Sequence, residues 1–119
     1  MASLGPLRVA VAGLGTVGGG VINVLKGNAG IIASRCMRPV EVVAAADIAV
    51  PQGVDMEGIT FYDDAVKMAA EADVDVVVET IGGYGVALTC VLAAACNQRA
   101  ACHLLSYKPN AEHPSSPLA

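Results

Sequence analysis

Near the start of the chain three glycines stand at a telling spacing, Gly13, Gly15 and Gly18 in the stretch GLGTVG. A strand-like run, Leu7 to Gly13 (LRVAVAG), leads into them, and a helical pattern follows from Thr16. In such a place the first glycine makes a tight turn, the second lets a pyrophosphate approach the backbone, and the third lets helix pack closely on strand. The amides of Gly15, Thr16 and Val17 then face phosphates at the positive end of a helix dipole. Asp47 closes a second strand-like run, where a carboxylate accepts hydrogen bonds from the hydroxyls of an adenosine ribose. Ile48 and Ala49 come next, so no arginine stands beside Asp47 to pair with a 2′-phosphate, which favours NAD over NADP. An unliganded glycine turn, with Asp47 as a turn residue, is the bland alternative.

Ile81, Gly82 and Gly83 end a third run, VDVVVET, on the side where open α/β sheets bind ligands; a simple turn explains these glycines almost as well. Glu79, inside that run, reads as a hydrogen-bonded structural acid in preference to a crevice residue. His103 and His113 have no nucleophile or second acid at a useful spacing, so they read as a strand residue and a tail residue. Cys36, Cys90, Cys96 and Cys102 show no C-x-x-C spacing and give neither a metal site nor a redox pair; buried, reduced thiols are expected.

These residues need elements to hold them. Leu7 to Gly13 is a strand buried on both faces, and Thr16 to about Arg35 a helix with Val17, Val21, Val24 and Leu25 on one face and a break at Gly27 to Gly30. Pro39 stops it, Val40 to Ala46 forms the second strand, and Ala49 to Gly58 is a loop. Ile59 to Tyr62 is a short strand, and Asp63 or Asp64 caps a helix reaching about Ala72. Val74 to Thr80, Val86 to Cys96 and Cys102 to Tyr107 complete the order as strand, helix and strand. The expected class is α/β, a Rossmann-like doubly wound parallel sheet in a single domain, because adjacent parallel strands need long crossovers. Residues 1–108 form the dinucleotide-binding domain and 109–119 a disordered Pro- and Ser-rich tail.

Composition agrees. A chain of 119 residues with 55% hydrophobic residues builds one core and is not disordered. Seven Lys and Arg against eleven Asp and Glu leave a net charge of −4, so neither nucleic acid nor an acidic membrane surface is an expected partner. The mean hydropathy of +0.59 reflects alanines and valines, since charges or glycines interrupt every apolar run before the roughly 20 residues a spanning helix needs. No export signal is read, and a cytoplasmic protein is expected.

The stretches LRVAVAGLGTVGGGVINVL, RPVEVVAAAD, GVDMEGITFYDDA and VDVVVETIGG together resemble the N-terminal nucleotide-binding domain of homoserine dehydrogenase. The resemblance covers about residues 7 to 95. It implies an oxidoreductase of amino-acid biosynthesis that interconverts aspartate 4-semialdehyde and homoserine with NAD or NADP. It also implies pyrophosphate contacts at Thr16 and Val17, with Ile81 to Gly83 flanking the nicotinamide half. After the fifth strand the family continues in a pattern like H-V-V-T-A-N-K-A, whereas this chain reads HLLSYKP. Lys108 stands one position early for the family's nicotinamide-side lysine and is the candidate catalytic residue. The family's substrate and dimerisation region has no counterpart in these 119 residues, so the isolated chain is expected to bind cofactor without turnover, and to self-associate through uncovered apolar surface. A nucleotide-sensing module without chemistry is the alternative.

Overall fold

The computed structural model describes residues 5–82 and 85–103. Five parallel strands form one sheet in the order β3-β2-β1-β4-β5: β1 Leu7–Ala12, β2 Val40–Ala46, β3 Thr60–Tyr62, β4 Val76–Glu79 and β5 Ala100–His103. The helices are α1 Thr16–Gly27, α2 Ala29–Cys36, α3 Ala65–Glu71 and α4 Val86–Cys96. This is the doubly wound arrangement, with β1 at the centre and the winding reversing between β1 and β4.

Period-2 alternation along β1 builds two cores. Ala10 and Ala12 face Met68 and Ala69 of α3 and Cys90 and Ala94 of α4. Val9 and Val11 face Ile22 of α1. The alanines suit the first side, because two helices lie against the sheet there. In β2 the alternation slips: Val9 pairs with Val42 but Ala10 with Ala44, so Val43 is one residue too many. The resulting bulge puts Val42 and Ala45 in the α1 core and Ala44 and Ala46 in the other.

The break expected at Gly27 to Gly30 falls at Asn28, at once the cap ending α1 and the cap opening α2. Other details of the elements correct expectations. The buried stripe of α1 is Gly18, Gly19 and Ile22, flanked by Val21 and Leu25, whereas Val17 and Val24 are exposed. Glycines draw that face onto the sheet. Strand β5 opens at Ala100, two residues before the expected start, because the Ala100 amide donates to the Asp75 carbonyl at 3.0 Å. Of the two candidate caps Asp64 serves, accepting from the Val66 and Lys67 amides at 2.9 and 3.2 Å. Cys90 is buried, but Cys36, Cys96 and Cys102 are exposed and all four are free, so the expectation of buried thiols holds for one of them. His103 lies in β5 as expected, while His113 and the tail fall outside the described residues.

The connection from β2 to β3 is fastened onto α1. Lys26 pairs with Asp55 at 3.3 Å and donates to the Glu57 carbonyl at 2.7 Å. The Glu57 amide, and after it Lys26, holds the Asp55 carboxyl below its ordinary range. No helix among the described residues is long and apolar enough to cross a membrane.

Candidate functional site

A cavity of about 630 Å³ opens at the carboxyl ends of the strands, within the roughly 300–1,000 Å³ usual for small-molecule sites. Gly13, Gly15, Thr16 and Val17 line one wall; Ala46, Asp47 and Ile48 another; and Asp63, Asp64, Ala65, Thr80, Ile81 and Val86 the rest. The sequence-predicted residues Gly13, Gly15, Thr16, Val17, Asp47 and Ile81 thus meet in one place, at the reversal point of the sheet.

The three glycines do different work. Gly13 has φ +90°, and a Cβ there would lie 3.0 Å from the Ile81 nitrogen. At Gly18 a Cβ would stand 1.7 Å from the Gly13 carbonyl oxygen and 2.7 Å from the Thr80 hydroxyl. Both residues are glycines because the fold leaves no room. Gly15 differs: a Cβ there would meet no atom within 4 Å, and it would stand at the wall of the cavity.

Gly15 is also the N-cap of α1, and no side chain caps that helix. Helix α3 opens at the same end of the sheet with its first amides taken by Asp64. Among the described residues no side chain takes the opening amides of α1, whose partial positive charge faces the cavity end of the sheet. A helix opening of this kind can hold an anion.

Asp47 is half-buried, and each carboxylate oxygen already accepts one amide: Oδ2 from Leu14 at 2.7 Å and Oδ1 from Ile48 at 2.6 Å. A carboxylate has about four acceptor positions, so two further donors can be accepted. Among the described residues no Lys or Arg lines the cavity, whereas Asp63 and Asp64 line it together with Asp47.

Glu79 is fully buried. Its Oε1 accepts from the Ile81 amide and, at 3.1 Å, from the Gly82 amide, so it shapes the turn after β4 as the structural acid expected. Gly82 has φ +78°, which only that turn's glycine adopts readily. Gly83 and Lys108 lie outside the described residues. Beneath the site, burial pushes the Cys90 thiol up to about 11, with the charges of Glu79 and Asp64 acting in the same direction.

Thr80 is the residue that sequence reasoning missed. Its hydroxyl lies 2.8 Å from the Gly13 carbonyl oxygen and 2.9 Å from that of Ala12. A threonine ending a strand looks like ordinary β propensity, so nothing in the sequence marks it.

No family model matches the chain. Among curated proteins it is similar to homoserine dehydrogenases, 43% identical over 89 residues to that of Pseudomonas aeruginosa and 41% over 91 residues to that of Methylobacillus glycogenes. Each match takes in 75% of this chain and 20% or 22% of the relative, so the chain spans about a fifth of their length. Among solved structures, a homoserine dehydrogenase from Thiobacillus denitrificans is 33% identical with a TM-score of 0.72, over 82% of this chain and 23% of that one. A myo-inositol dehydrogenase from Lactobacillus casei, solved with NAD(H) and myo-inositol, shares the fold at a TM-score of 0.59 and 23% identity, over 82% of this chain and 27% of its own.

Proposed function

We propose, from the chain's homology to one segment of the homoserine dehydrogenases, that residues 1–108 are the nicotinamide-dinucleotide-binding domain of an oxidoreductase of that family. The observation that carries this reading is Gly15. A Cβ at Gly15 would meet no atom of the described residues, and the residue sits at the uncapped start of α1 on the cavity wall, so its missing side chain makes room for a ligand.

In this reading the pyrophosphate rests on the amides of Gly15, Thr16 and Val17, with Gly13 and Gly18 shaping the turn, and Asp47 takes the adenosine ribose. The nicotinamide runs along Ile81, Gly82 and Gly83. NAD is preferred to NADP, because Asp47, Asp63 and Asp64 repel a 2′-phosphate and no cation among the described residues lines the cavity to receive one. The NAD(H) held by the inositol dehydrogenase of like fold supports the cofactor class.

When bound, the cofactor supplies hydride exchange between homoserine and aspartate 4-semialdehyde, with Lys108 serving the nicotinamide side. That chemistry holds the reacting carbons about 3 to 3.5 Å apart beside a proton donor, an arrangement worth roughly 7–11 kcal/mol of barrier. These 119 residues carry the cofactor half alone, and we expect them to bind without turnover. A cytoplasmic role in amino-acid biosynthesis goes with this assignment. So does self-association, since Val86, Leu88 and Leu92 of α4 are all more than half exposed and β5 is a sheet edge; light scattering that gives a monomer at high concentration would remove that part.

Titration calorimetry with NAD and with NADP tests the whole reading. Binding of NAD, weaker binding of NADP, and loss of both in Gly15→Val are expected. No heat from either at millimolar concentration overturns it.

A further inference from the structure

The Gly13 carbonyl and the Leu14 amide belong to one peptide unit, and both are gripped by side chains. On the β4 side the Thr80 hydroxyl lies 2.8 Å from the carbonyl oxygen. On the β2 side the Asp47 carboxylate takes the amide at 2.7 Å. No described peptide bond is cis, and in a trans peptide the C=O and N–H point in opposite directions, so the two grips fix one plane from opposite ends.

The Thr80 hydroxyl reaches two carbonyls, that of Gly13 at 2.8 Å and that of Ala12 at 2.9 Å. The Ala12 carbonyl, its other neighbour, already accepts the Thr80 backbone amide at 2.8 Å. Gly18 rests on the gripped carbonyl, so the tilt of this plane sets where the first turn of α1 sits above the sheet.

We propose that Thr80 is a positioning residue: by holding the Gly13–Leu14 peptide against Asp47 it presets the open amides of α1 for the pyrophosphate. This rests on the dinucleotide reading and adds to it a cavity-wall residue whose hydroxyl acts through the backbone it holds.

Thr80→Val keeps the shape and removes the donor, and Thr80→Ser returns it. Calorimetry with ADP-ribose, which carries the pyrophosphate, and with adenosine, which does not, separates positioning from general damage. Thr80→Val should weaken ADP-ribose roughly tenfold, the worth of one hydrogen bond, while adenosine binds as before and Thr80→Ser recovers to within about twofold. Equal losses for both probes, or no loss for either, overturn the positioning role alone. A native chain that binds neither probe overturns the dinucleotide reading and this inference with it. If Thr80→Val does not fold, Thr80→Cys, a weak donor of similar size, gives the same ratio.

Discussion

At Gly18 a side chain is excluded by the protein, and at Gly15 by nothing among the described residues. The two residues therefore fail differently. Gly18→Ala drives a methyl group into the Gly13 carbonyl; we expect a loss of about 3 kcal/mol in urea unfolding, against a return of about 1 kcal/mol in helix propensity. Gly15→Val should melt within a degree or two of the native chain while losing dinucleotide binding, as differential scanning fluorimetry and calorimetry on one preparation will show. Cysteine chemistry gives a second test at this scale. Cys36, Cys96 and Cys102 should react promptly with a thiol reagent at neutral pH and Cys90 only on unfolding. The folded-state value of Cys90 is raised from 9.0 to about 11, so its contribution to stability is complete below pH 9 and drains away as pH rises through 11. Cys90→Ala should flatten that decline.

The strands and helices were legible in the sequence wherever composition and punctuation agreed. LRVAVA ahead of the glycines and VEVVAAA ahead of Asp47 announced β1, β2 and the site between them. The buried face of α1 was misread because valine is the more hydrophobic residue, yet glycine is what allows a helix to touch a strand. The bulge at Val43 was invisible, since an apolar run buried on both sides gives no sign of which residue is supernumerary. Thr80 escaped for a related reason: its role depends on an oxygen 67 residues away. For α3 the punctuation was direct. Asp64 caps two amides, and Asp64→Ala should lower stability by about 1 kcal/mol in the same urea assay, with the cavity wall loosened on the β3 side.

Across the whole molecule, the first strand made is the central strand of the sheet, and its two neighbours are far from equal in sequence. Partner β2 follows after α1 and α2, whereas β4 joins only after β3 and α3 have been laid down. Pairing across that distance is slow, as non-local parallel contacts are, so a half-sheet of β1, β2 and β3 forms early with one side of β1 bare. The crevice has no second wall until β4 arrives. Nucleotide capture should accordingly be a late event in refolding. In stopped-flow refolding, enhancement of reduced-nicotinamide fluorescence should rise with protection of the Val77 and Val78 amides in pulse labelling, and trail that of Val42 and Ala44. A chain that gains its ligand before Val77 is protected would mean that the half-sheet alone suffices. If the two rise together, added nucleotide acts only after the folding barrier: it slows unfolding and leaves the folding rate unchanged.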